Sequence, residues 1–206
     1  MVLTVRSDPR VRLNDYEQSL RQWLHLDAFN TIVFCENSNA NLGVLQDLVA
    51  QENRKSKSVR FIAFDGNGHP PHLGKGVGEM NILSHLLATL TPPPNKPLVK
   101  VTGRYQVPNA RQLCDLLAAD PLADVVCNFF DFDALMADSR VFAATPEFLR
   151  SYLLPLQHTV NDTGGRFFEH ALADAARQCM ADGGRWLPLP ESIIVKGVSG
   201  STNEIY

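Results

Sequence analysis

The sequence predicts an α/β fold: a three-layer α/β/α sandwich around a mostly parallel sheet. Three observations predict it. Short apolar, β-rich runs alternate along the chain with longer stretches whose apolar residues recur at helical spacing. Four polar clusters, "ENSN" at 36–39, "DGNG" at 65–68, "TGRY" at 102–105 and "FDFD" at 130–133, stand at the ends of such runs. Open α/β sheets keep their ligand sites at those carboxyl ends. No internal repeat, low-complexity segment or linker divides the chain, so 1–206 reads as a single domain, with 1–30 as an N-terminal helical extension.

Each element has its own signal. Leu13, Tyr16, Leu20, Trp23 and Leu24 mark a first helix that Asn14 or Asp15 would cap. "TIVFC" (31–35) is the first strand, 40–52 the second helix and 59–64 the second strand. After the glycine-rich loop, Met80, Ile82, Leu83, Leu86, Leu87 and Leu90 form a strongly apolar helix, which "TPPPNKP" ends because proline cannot continue it. "LVKVTGRY" is a third strand and "PNARQLCDLLAAD" a helix with Pro108 near its start. "ADVVCNFF" and "SRVFAAT" are strands four and five, and the irregular order after Asp124 predicts an antiparallel strand or two. "PEFLRSYLLPL" is a short helix closed by Pro155. "GGRFFEHALADAARQCMADGG" is a helix bounded by glycine pairs, and "ESIIVKGV" a late strand.

Composition narrows the function. With 45% apolar and 20% charged residues, the 206-residue chain reads as an ordinary globular protein. A net charge of −3 argues against a general nucleic-acid binder. No apolar run approaches the ~18 residues of a membrane span, and charges fall where a signal peptide would have its apolar core. The expectation is a soluble, cytoplasmic protein. Cys35, Cys114, Cys127 and Cys179 form no CxxC pair and read as buried thiols; His69 and His72 lack partners at zinc spacing.

The segment "HPPHLGKGVGEMN" (69–81) needs a separate explanation. It fails as a Walker A loop: Gly68 stands one residue too far from Gly74–Lys75, and Gly76 replaces the hydroxyl residue. It fails as a Rossmann fingerprint too, because the first strand ends in "ENSN" without glycine. Gly74, Gly76 and Gly78 nevertheless let backbone N–H groups approach an anion closely, Lys75 adds a charge, and the following helix points its positive end the same way. A loop that only caps the helix is the alternative.

In their order, "VFCENSN", "IAFDGNG", "LGKGVGEMN", "KVTGRY", "DSRVFAATPEFL" and "FFEHAL" resemble small GT-A-fold glycosyltransferases of bacterial capsule and surface-polysaccharide clusters, over 31–206. The resemblance implies a transferase that moves a sugar from a nucleotide-activated donor to a saccharide or lipid-linked acceptor. Such a protein would be cytoplasmic, or peripheral to the inner membrane through its acceptor. Glu36 and Asn37 would line the base and ribose pocket, and Asp65 would contact the base or ribose. Lys75, with the amides near Gly76 and Gly78, would face the phosphates. Glu169 would be the base that deprotonates the acceptor.

One departure stands out. Such enzymes carry a metal-binding DxD where this chain has Thr102-Gly103-Arg104. Arg104 would replace the metal, since a guanidinium grips two phosphate oxygens at once, so no cofactor is required. Alternatively, Asp131 and Asp133 share a strand face and would hold Mg²⁺ or Mn²⁺. Asp138 and Arg140 would form a local pair on the acceptor side, or only a turn. A non-catalytic nucleotide or sugar-phosphate binding module and a nucleotidyltransferase are the alternative functions.

Overall fold

A computed structural model describes residues 8–130, 133, 135–199 and 205. The first helix, α1 (Pro9–His25), starts earlier than the sequence predicts. Asp8 caps it through the Arg10 N–H (2.8 Å) and Pro9 supplies a pre-set φ, so Asn14 and Asp15 lie inside the helix. Its far end is closed by Lys57, whose ammonium donates to the carbonyls of Trp23 (2.7 Å) and Leu26. The chain continues as β1 (Thr31–Glu36), α2 (Gly43–Glu52) and β2 (Ser58–Ala63). β1 and β2 pair in parallel, with Phe34 opposite Phe61. Leu20 and Leu24 of α1 pack with Leu45 and Leu48 of α2 over Ile32, Phe34, Val59 and Phe61 of this pair.

Next come α3 (Gly74–Leu90), β3 (Leu98–Val101), α4 (Arg111–Ala119), β4 (Val125–Val126) and β5 (Val141–Ala144). Thr145 caps the short α5 (Pro146–Phe148), which runs on as a π-helical turn over Leu149–Leu153 and 3-10 turns over Leu154–Thr159. The predicted stop at Pro155 is thus a change of helix type: proline at the start of a 3-10 segment costs no backbone donor. The last helix, α6 (Phe168–Ala181), and β6 (Trp186–Leu187) complete the elements.

The fold is mixed α/β, and its strands form two small sheets rather than one mostly parallel sheet. β1 and β2 make one; the other has the order β3-β5-β4-β6. Within it β5 runs antiparallel to both β3 and β4, and β6 pairs parallel with β4. The predicted late strand at 191–198 joins neither sheet. Its Ile193 and Val195 pack into the core, while Lys196 makes one isolated bridge to Gln106. The largest core cluster joins Val77, Met80 and Leu83 of α3 to Phe142 of β5, Phe148 and Leu153, and Phe168 and Leu172 of α6. No helix among the described residues is long and apolar enough to cross a membrane.

Candidate functional site

A pocket of about 290 Å³ opens where the carboxyl ends of β1 and β3 meet the first turns of α3. That volume lies near the lower end for small-ligand sites. Its floor is apolar, with Phe34, Ile82, Leu86, Leu98 and Phe142, and charged groups dominate its polar lining beside Tyr16, Asn37 and Thr102. Arg12, Lys75, Lys100 and Arg104 face Glu36 and Glu79, which is four cations against two carboxylates and a surplus of two positive charges. Such a balance favours an anionic ligand.

The strand-end residues hold the turns that carry them. Glu36 is buried, and its Oε2 accepts from the N–H groups of Ser38 (2.7 Å) and Ala40 (3.4 Å). Asn37 Nδ2 donates to the Gly78 carbonyl (3.2 Å), fastening the β1 turn to α3. A Cβ on Gly78 would stand 3.0 Å from that nitrogen, so glycine is what permits the approach. Asp65 is exposed, bridges Ser38 and lies outside the pocket lining. Arg104 stacks its guanidinium over the Tyr105 ring (5.9 Å to the centroid), and its Nε is buried without a hydrogen-bond partner among the described residues. A buried, unmatched cationic donor at a pocket wall is the group that a ligand oxygen would satisfy.

The glycine-rich loop is not an open cradle. The amides of Lys75 (2.8 Å) and Gly76 (3.3 Å) both donate to Oδ2 of Asp162, from a segment far along the chain. α3 has no local side-chain cap, and Asp162 supplies one. Gly74, at φ 77°, and Gly76 are glycines because a Cβ on either would run into Asp162. Burial raises the Asp162 pKa, against the lowering pull of its two N–H donors. His69 is a neighbour of this turn: its Nε2 lies 2.8 Å from the Gly74 carbonyl.

From the pocket wall a cluster the sequence did not reveal runs back into the protein. Lys100 donates from β3 to Glu79 Oε2 (2.7 Å), Thr102 Oγ1 (3.0 Å) and the Ser139 carbonyl (2.6 Å). Its Nζ also lies 5.7 Å and 5.5 Å from the ring centroids of Phe142 and Phe168. The Ser139 hydroxyl donates to Glu169 Oε1 (2.6 Å). Glu169 therefore sits one step behind the pocket and does not line it, whereas Glu79 does. Asp138 and Arg140 form a local two-pronged ion pair (2.8 Å for Nη2–Oδ2) outside the lining. Asp133 is an exposed turn residue and Asp131 lies outside the described residues. Among the described residues no three His, Cys, Asp or Glu side chains converge on a metal position.

The structure thus brings Glu36, Asn37, Lys75, Gly78 and Arg104 together, and adds Arg12, Glu79 and Lys100. Strand-end logic found Glu36, Asn37 and Arg104, and the glycine-rich segment gave Lys75 and Gly78. Nothing local marks the others: Lys100 interrupts an apolar strand, which is the one hint that its charge has a buried partner. Comparison of the chain with protein-family models, with curated proteins and with solved structures gave no match.

Proposed function

We propose that this pocket binds the phosphate-bearing part of a nucleotide-activated sugar, and that the chain transfers the sugar to a saccharide or lipid-linked acceptor. The observation that carries the reading is Arg104, with its unmatched buried Nε, in one pocket with Lys75, Glu36 and Asn37. Negative charge develops on the departing phosphate as the glycosidic bond breaks, and two fixed cations stabilise it there. The base falls to a carboxylate: Glu79 lines the pocket, and Glu169 reaches it only through Ser139.

A second reading, a non-catalytic nucleotide or sugar-phosphate binding module, draws on a specific observation. Both carboxylates already have partners, Lys100 for Glu79 and Ser139 for Glu169. A thermal-shift panel of UDP, GDP, CDP, CMP and their common sugars, each with Mn²⁺ and with EDTA, tests both readings. Stabilisation by one nucleotide family is expected to persist in EDTA and to disappear in Arg104→Gln. No shift with any nucleotide overturns both. Turnover of the stabilising nucleotide sugar, lost in Glu79→Gln or Glu169→Gln with binding kept, selects the transferase and identifies its base. Binding without turnover selects the module.

A further inference from the structure

The two sheets leave two strand edges facing one space. The Asn30 and Glu36 carbonyls accept from the N–H groups of Ser58 (2.9 Å) and Phe64 (3.1 Å). Backbone groups of successive residues point to opposite sides of a strand. Those of Thr31, Val33 and Cys35 therefore point away from β2. In β3 the Thr102 N–H donates to the Arg140 carbonyl (2.9 Å), which turns positions 98, 100 and 102 toward β5. Val99 and Val101 then present theirs to the opposite side. Among the described residues no strand pairs with either outward edge.

Both edges open into a slot. The pocket described above and a second cavity of about 650 Å³ share Val33, Phe34, Leu98, Val99 and Val101 as walls. The second cavity is closed by Leu20 and Trp23 of α1, Leu86 and Leu90 of α3, and Leu117 of α4. Among the described residues its charged lining is Arg60 and Lys96, both exposed cations.

We propose that this slot binds an extended polypeptide segment of a partner protein, added as a strand to β1, β3 or both. The segment would alternate apolar with small residues and carry a carboxylate to meet Arg60 or Lys96. Open backbone edges select this occupant. An occupant that fills the slot displaces the water on these N–H and C=O groups and must replace its hydrogen bonds. A peptide strand offers donors and acceptors at the same repeat as the edges themselves. An alkyl chain fills the same volume and matches none of them. The two cations set the sign of the partner's charge. This inference uses walls that the slot shares with the nucleotide-sugar pocket rather than Arg104 and Lys75, and its test is read without a nucleotide present.

The test is amide NMR with hydrogen exchange on the intact chain. The probe is an acetylated heptapeptide alternating valine with threonine and carrying an aspartate at each end. Saturable shifts are expected at the amides of Val33, Val99 and Val101, with exchange there slowed by about tenfold or more. The amides of Phe34 and Lys100, turned toward β2 and β5, should change little. N-methylation along either edge of the peptide removes its donors there, and methylation of both edges should abolish binding. Replacing its aspartates by lysines should weaken binding by about threefold, and the exposed double variant Arg60→Glu, Lys96→Glu should reverse that preference. The proposal is overturned if the peptide gives no saturable change, or if the fully N-methylated peptide binds as well. It is equally overturned if Val33 and Val99 are already strongly protected in the free protein, which would mean that the edges pair with each other. Dodecyl phosphate shifting these amides where the peptide does not would replace the strand by an amphiphile.

Discussion

Asp162 decides what the glycine-rich loop is for. Its carboxylate occupies the N-terminal amides of α3, the place where a ligand phosphate would otherwise sit. Loss of such a cap costs about 1 kcal/mol, up to about 2 in well-fixed sites. Asp162→Ala should therefore lower the unfolding free energy by that much, read as a lower urea midpoint at unchanged slope. The acid limb gives an independent check. Burial raises the folded pKa above the ordinary 3.8, so the folded chain holds this proton more tightly than the unfolded one. The linked stability is full below about pH 3.8 and declines as pH rises toward the folded value, then stays level. Asp162→Asn has no such proton, so native stability measured relative to that variant should fall as pH rises across the same interval. A constant difference between the two proteins would show that the carboxyl is as well solvated as in the unfolded chain.

At the scale of elements, Lys100 ties β3 to α3 through Glu79 and to the segment before β5 through the Ser139 carbonyl. Both side chains are mostly buried, at 16% and 26% exposed, and removing one strands the other. Lys100→Met should cost about 2–3 kcal/mol, and adding Glu79→Leu should restore most of it, as a double-mutant cycle in urea would show. How far the elements were legible depended on length. β1, β2, β3 and β5 announced themselves as apolar β-rich runs, and α3 and α6 by their spacing. β6, two residues between glycines and prolines, has no period to detect, and β4 shrinks to Val125–Val126. The run "ESIIVKGV" failed in the opposite sense: Ile193 and Val195 pack on the core while Ile194 is exposed, and neither sheet uses the run. In the site, charges at strand ends could be placed from sequence, while Arg12 and Glu79 on helices carry no such positional signal. A legible clue to Asp162 did exist. α3 begins at Leu73-Gly74, with no Ser, Thr, Asp or Asn to cap it, so its first amides are open to a side chain from elsewhere in the chain or to water.

For the whole molecule, desolvated thiols contribute to the alkaline dependence of stability: Cys127 and Cys179 are buried and Cys35 is half-buried. Desolvation pushes Cys127 up to about 12, and Cys35 and Cys179 up to about 11, from an ordinary 9.0. These thiols stay protonated in the folded chain where the unfolded chain ionises. Stability should therefore fall steadily as pH rises above about 9 toward the folded values, read as a declining melting temperature. Near pH 8, iodoacetamide should modify Cys127 only after denaturant unfolds the chain. Prompt alkylation of the native protein at that residue would contradict the burial. The cap on α3 also has a consequence in time. Asp162 follows Lys75 by 87 residues, and synthesis at ~5–20 residues per second separates the two by roughly 4–17 s. During that interval the amides of Lys75 and Gly76 lack the carboxylate that receives them in the finished fold, so the start of α3 cannot take its final form until the ribosome has added Asp162.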